Sequence, residues 1–160
     1  MLFTGQYEHN LDAKHRLAIP SDIRAALDPA RHGTGFYLAP GPNDAPWLWP
    51  QRIFEAMAGA LEQSLLPTEE QMLYEQLLFS QATHLEIDST NRIRLPQRLV
   101  DRFKLGPAIM ILGVKDHLEL HNPATWQKQL EQQLGQQRSI MLRAREALRQ
   151  QQPGSETNES

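Results

Sequence analysis

Apolar positions two apart bracket two polar loops in this chain, and the two brackets are alike. Leu11 precedes Asp12-Ala13-Lys14-His15-Arg16, and Leu17 and Ile19 follow; Ile87 precedes Asp88-Ser89-Thr90-Asn91-Arg92, and Ile93 and Leu95 follow. Alternation of this kind predicts strands with one half-buried face entering and leaving each loop. Asp12 and Asp88, Arg16 and Arg92, Pro20 and Pro96 are all 76 residues apart, and the phase carries on into Ile23/Leu99 and Leu27/Phe103. Self-similarity at a fixed offset means two copies of one module.

The strands expected at 5–11 and 17–19 read as a hairpin-like pair around the first loop. Pro20-Ser21-Asp22 then opens a short helix, with Ile23 and Leu27 one turn apart, that ends near Asp28-Pro29. Strands follow at 35–38 and 47–49, separated by the turn-rich Pro40-Gly41-Pro42-Asn43-Asp44-Ala45-Pro46. Pro50 suits the first turn of a helix whose stripe Phe54, Met57, Leu61 and Leu65 runs to Pro67. Thr68 with Gln71 forms a capping box for a second helix through Phe79. The second module repeats the plan with strands at 83–87 and 93–95, a short helix at 97–103, and strands at 108–112 and 118–120. Asn122-Pro123 starts a long helix with an apolar seam, Trp126, Leu130, Leu134, Met141 and Leu148, set among glutamines. The pattern predicts an α+β fold, mainly β with helices. Its parts are modules at 5–52 and 81–124, a helical spacer at 53–80, a C-terminal helix at 125–150 and a polar tail at 151–160 expected to be disordered.

The loop residues suggest a chemistry. An Asp at the start of a turn accepts backbone N–H groups from the residues that follow, and an Arg four residues on can return to that carboxylate with a charge-assisted bond. His15 and Asn91, just before each Arg, are residue types enriched at positive φ. Asp12 and Asp88 are thus expected to structure the loops. Lys14, His15, Arg16, Arg92 and Arg94 are the basic or polar groups a partner would meet.

Composition narrows the possibilities. The 160 residues include no cysteine, so disulfides and thiolate chemistry have no residue to use. The longest apolar run, around 108–114, is too short to span a bilayer, and the first residues show no signal-peptide pattern, so a soluble, cytoplasmic protein is expected. The net charge of −3 argues weakly against a nucleic-acid partner. Between Asp88 and Lys104, however, five positive residues face two negative ones, a local +3. Backbone phosphate contacts are local, so one basic face is sufficient. The six histidines offer no i, i+4 pair on an expected helix, and no metal site or cofactor is expected. His117 and His121 should sit at the ends of one strand. Arg138, Arg143, Arg145 and Arg149 read as a solvated helix face.

The paired Asp-x-x-x-Arg loops, with Ile19-Pro20-Ser21-Asp22-Ile23-Arg24, the Trp47-Leu48-Trp49-Pro50 strand exit and the two-helix spacer, carry a family likeness. Over residues 1–145 the chain resembles the MraZ family of tandem SpoVT/AbrB-like transcriptional regulators. The resemblance implies two swapped-hairpin modules forming a pseudo-twofold unit, and a bacterial, nucleoid-associated DNA-binding protein that assembles into a ring-shaped homo-oligomer. It further implies binding to promoter direct repeats upstream of the division and cell-wall gene cluster, repression of that cluster and of its own gene, and Arg24 alongside the loop residues in DNA binding. This chain departs from the family in having His15 and Asn91 where Gly is common. Two rival classes are weighed against it. An antitoxin of the same superfamily would grip a protein partner but usually has one module. An enzyme would need a Gly-rich phosphate loop, a nucleophile elbow or motif-spaced carboxylates, and none occurs. No membrane or small-molecule substrate is expected.

Overall fold

The protein is described by a computed structural model for residues 1–152. Its elements run β1 (Gln6–Asn10), β2 (Arg16–Ala18), α1 (Ser21–Ala26), α2 (Pro29–His32), β3 (Gly35–Pro40), β4 (Pro46–Pro50), α3 (Gln51–Ala60) and α4 (Glu69–Gln81). The second half continues with β5 (Thr83–Glu86), β6 (Arg92–Arg94), α5 (Gln97–Phe103), β7 (Ala108–Val114), β8 (His117–His121), α6 (Pro123–Gly135) and α7 (Gln137–Gln151). The chain divides into two compact units, Met1–Pro123 and the residues from Ala124 onward. The fold is α+β, and its sheets are antiparallel throughout the described residues.

Six strands form one sheet in the order β1-β7-β8-β4-β3-β5, and β2 pairs with β6 in a separate two-stranded ribbon. Exchanging each strand for its counterpart in the other copy, β1 for β5, β3 for β7 and β4 for β8, reverses this order and leaves it unchanged. The ribbon obeys the same symmetry, because its register places Leu17 opposite Ile93, the two residues the repeat makes equivalent. The expected hairpin of β1 with β2 does not form; β1 pairs with β7, and β2 with β6. In the ribbon the two strands match in length and in burial, with Leu17 and Ile93 facing the core together. Each ribbon strand has three residues and is extended by an equivalent bond at either end. The Ile19 N–H donates to the Asn91 carbonyl at 2.9 Å, and the Leu95 N–H to the His15 carbonyl at 2.9 Å. The five-residue β1 instead pairs along its whole length with the seven-residue β7, from Gln6 opposite Leu112 to Asn10 opposite Ala108.

The core grows from the ribbon. Leu17 and Ile93 are completely buried, as are Phe36, Leu38, Leu48, Ile109 and Leu118, and Ile19, Leu95, Ile23 and Leu99 join them. Leu27 and Phe103, the last equivalent pair, pack half-buried against that cluster. At the sheet's centre, where β4 meets β8, a polar group is buried as well. His117 and His121 occupy the two ends of β8, and both face the Glu119 carboxylate, at 3.1 and 3.0 Å. Asn43 donates to the same carboxylate at 2.8 Å and accepts from the Trp47 indole N–H at 2.8 Å. The Trp47 ring stacks on His117 with centroids 3.9 Å apart. Burial raises the Glu119 pKa, but the bonds from His117, His121 and Asn43 outweigh it and hold the carboxyl well below its ordinary range. Among the described residues no group of three or more His, Asp or Glu side chains is arranged to hold a metal.

Several helices differ from expectation. Asp28-Pro29 does not simply end α1: the Asp28 carboxylate accepts from the Ala30 N–H at 3.0 Å and, with Pro29 in the first turn, starts the extra turn α2. Helix α3 stops at Ala60, so Leu65 lies beyond it and is fully exposed. Thr68 does cap α4 by accepting from the Gln71 N–H at 3.2 Å, but the Gln71 side chain bonds the Glu62 carbonyl rather than closing the box. The expected single helix after Asn122 is broken at Gln136, whose ψ of 14° departs from helical geometry directly after Gly135. Of its seam, Trp126 and Leu130 are half-buried while Leu134, Met141 and Leu148 are exposed. Gln151, expected in the tail, closes α7, and the rest of the expected tail from 153 on lies outside the described residues.

Ile93→Ala is expected to lower the free energy of unfolding in urea by about 2–5 kcal/mol, because it removes a buried side chain at the centre of the ribbon. A loss under about 0.5 kcal/mol, typical of a surface substitution, would contradict the place given to the ribbon.

Candidate nucleic-acid interface

Each loop is built by its carboxylate. Asp12 Oδ1 accepts the backbone N–H groups of Lys14 at 2.9 Å and Arg16 at 2.8 Å, while the Asp12 N–H reaches the Arg16 carbonyl at 3.2 Å. Asp88 Oδ1 accepts those of Thr90 at 2.9 Å and Arg92 at 3.0 Å, and its N–H reaches the Arg92 carbonyl at 2.8 Å. Both loops close through a residue in the left-handed region, His15 at φ 58° and Asn91 at φ 61°. The positive φ expected from residue type at these two places is therefore present.

The arginine half of the expected latch differs between the copies. Arg16 Nε donates to Asp12 Oδ2 at 2.6 Å. Arg92 Nε instead donates to Thr90 Oγ1 at 2.7 Å and stands 3.6 Å from Asp88, while its Nη1 reaches Asp12 Oδ2 at 3.5 Å. The Thr90 hydroxyl is the reason: it donates to Asp88 Oδ1 at 2.8 Å and accepts the Arg92 Nε–H, whose counterpart in the first loop goes to the carboxylate. Ala13 and Lys14, the residues of the first loop between Asp12 and His15, offer no such hydroxyl. Asp12 consequently ties the two loops together.

Register gives the ribbon two unlike faces. Residues directly opposite across an antiparallel pair point the same way, and neighbours along a strand alternate. Leu17 and Ile93 therefore share the buried face, while Arg16 opposite Arg94 and Ala18 opposite Arg92 share the other. Three guanidinium groups project from a surface two strands wide, and like charges directly opposite are unfavourable. Asp12 compensates Arg16 and part of Arg92. Lys14 and Arg94 are exposed. Arg24, exposed on α1, donates to the Ile19 carbonyl at 3.2 Å, so it adjoins the ribbon's end. His15 is half-buried in its loop.

Other basic residues are occupied elsewhere. Arg98 donates to Thr83 at 2.7 Å and to Gln81, and Arg102 to Gln81, which ties α5 to the entry of β5. Part of the local positive charge seen in the sequence is thus used within the fold. A bond not expected from sequence links β1 to the ribbon, His9 Nδ1 standing 2.9 Å from the Ala18 carbonyl. No local pattern announces it, because the partners come from strands of different sheets.

The backbone N–H of Arg16 is the main cause that lowers the Asp12 pKa from 3.8 to about 2; partial burial opposes it, and the Arg16 side chain and Lys14 N–H assist. Asp88 is lowered by the backbone N–H of Arg92, then by the Thr90 hydroxyl. Both loops carry ionised carboxylates across the neutral range.

The family model for the MraZ protein matches residues 78–150. Relatives named Transcriptional regulator MraZ include one from Roseiflexus castenholzii, 33% identical over 129 residues that cover 81% of this chain and 87% of that protein. Others come from Ureaplasma parvum, 31% identical over 119 residues covering 74% and 80%, and Mycoplasmoides gallisepticum, 32% identical over 119 residues with the same coverage.

Because the folded pKa of Asp12 is depressed, its contribution to the loop is complete above the unfolded value of 3.8 and is lost as pH falls through about 2. A carboxyl ¹³C titration of Asp12 should give a midpoint near 2 that moves toward 3.8 in Arg16→Ala. A wild-type midpoint at 3.8 would contradict the hydrogen bonding described here.

Proposed function

The chain belongs to the MraZ family, and on that premise we propose that it is a transcription regulator that binds double-stranded DNA through the outward face of the β2–β6 ribbon and the loops at its ends. The observation that carries this is the register that sets Arg16, Arg92 and Arg94 on one face. A two-stranded ribbon fits the major groove of B-DNA, where guanidinium groups read guanine edges and basic side chains meet phosphates. Lys14 and Arg94 supply the exposed cations, with His15 and Arg24 beside them, and Arg16 and Arg92 meet DNA from the positions Asp12 gives them. Asp12 and Asp88 shape the loops and do not face the DNA. Of the two loops, the first is the stronger contact.

The proposal extends to architecture and assembly. The exchange of strands between copies, β1 onto β7 and β5 onto β3, supports a tandem swapped-hairpin unit made of modules at 5–52 and 81–124 around the spacer at 53–80. One ribbon offers few contacts, so a single copy binds weakly and depends steeply on salt. Identical copies in a ring present the ribbon in one sense and engage several direct repeats together, so affinity comes from avidity. Such repeats would lie upstream of the division and cell-wall gene cluster and of the protein's own gene, and their occupation would repress both and place the protein on the nucleoid.

Lys14→Ala and Arg94→Ala should each weaken gel-shift binding to the protein's own upstream region and lower the slope of log affinity against log salt by about 1 per ribbon engaged, with the circular dichroism spectrum unchanged. Arg16→Ala should abolish binding while leaving the assembly intact, and Asp12→Ala should weaken it by loosening the loop. If the Lys14, Arg16, Arg92 and Arg94 alanine variants all bind like wild type, the ribbon is not the DNA-binding face.

A further inference from the structure

Away from the ribbon, α3, α4 and the β3–β4 hairpin enclose an open apolar cleft of about 520 Å³. Trp47, Trp49, Phe54, Tyr74, Leu77 and Phe79 line it, and Tyr74 and Leu77 remain 54% and 57% exposed. The surrounding segment has one sign of charge. From 53 to 83 the chain contains Glu55, Glu62, Glu69, Glu70 and Glu75 and neither Lys nor Arg.

Helix α7 is its opposite. Ile140, Met141, Leu142 and Leu148 are exposed along it, and its Arg138, Arg143, Arg145 and Arg149 stand against the single acid Glu146. Met141, Ala144 and Leu148 fall at i, i+3 and i+7, the spacing of anchors that seat a helix in a groove. Exposed apolar surface of this kind marks a contact site, and the opposite charges select which surface meets which.

We propose that α7 of one copy docks into the α3–α4 cleft of the next, its apolar anchors entering the cleft and its arginines meeting the α4 glutamates. This rests on the self-association put forward above and names the surfaces that carry it. Two different surfaces meet in such a contact, so every copy has one donor helix and one acceptor cleft. A head-to-tail contact of that kind closes into a ring when its rotation permits, whereas a contact of like with like stops at two copies.

The test uses the full chain with two variants at exposed positions, Leu77→Asp in the cleft and Met141→Asp on α7, 57% and 63% exposed in the wild type. Sedimentation velocity should show an assembly for wild type and monomers for each variant alone. An equimolar mixture of the two variants should form a dimer, because the intact helix of the first meets the intact cleft of the second. Matching thermal unfolding curves would establish that both variants are folded. As a second arm, the double reversal Glu70→Lys with Glu75→Lys should break the assembly, and adding Arg145→Glu with Arg149→Glu should restore it. A mixture that stays monomeric would overturn the inference; so would a Leu77→Asp variant that assembles like wild type while Met141→Asp does not, which would point instead to like-with-like pairing of α7 through Met141 and Leu148, seven residues apart. Variants that assemble like wild type would overturn it too while leaving self-association standing. A monomeric wild type would remove self-association itself.

Discussion

The pairing of β2 with β6 is the constraint from which the rest of the architecture follows. Strands of three residues are at the short limit of what occurs in proteins, and an isolated two-stranded ribbon is marginal in water. This ribbon persists because Leu17 and Ile93 sit side by side in the core and because each strand is lengthened by a bond to the opposite loop, Ile19 to Asn91 and Leu95 to His15. Each strand comes from a different copy of the repeat, so neither copy completes its own core. The same dependence is visible in the six-stranded sheet, where β1 is held by β7 and β5 by β3. The two copies therefore form one cooperative body in Met1–Pro123.

The proposed function follows from the same pairing. Burying Leu17 and Ile93 forces Arg16, Arg92 and Arg94 onto the other face, since side chains alternate along a strand. The repulsion this creates is only partly relieved by Asp12 and Asp88. A polyanion laid along the face would relieve the remainder, so under the proposed function a net charge of −3 is no obstacle to DNA: the spacer around α4 carries five glutamates and neither Lys nor Arg, while the ribbon keeps its cations.

Much of this was legible in the residues. Asp at the start of each loop, a type tolerant of positive φ before each Arg and apolar positions two apart are local features with local causes, and His15, Asn91 and the carboxylate-bonded amides occur where they indicate. The α5 boundaries and the placement of His117 and His121 at the ends of one strand were equally readable. What the sequence could not display is which strands pair. β1 and β2 are close in sequence and bracket a tight turn, so a hairpin is the economical expectation; the observed partners lie far along the chain, Ile93 opposite Leu17 and Ile111 opposite Tyr7. The Thr90 hydroxyl that diverts Arg92 toward Asp12 is hidden for a similar reason, because it decides between two acceptors that only the folded ribbon brings together. The helix break at Gln136 was obscured by an apolar spacing that runs through it unchanged, from Leu134 to Met141.

The proposed function makes both loops and the ribbon between them a single DNA-contacting surface. Hydrogen–deuterium exchange with and without a duplex from the protein's own upstream region measures this directly, because it reports on each segment at once. Slower exchange on DNA is expected in the peptides covering 12–18 and 88–94 together, with the peptides of α3 and α4 unchanged. Protection confined to α6 and α7, with both loop peptides exchanging as in the free protein, would contradict it.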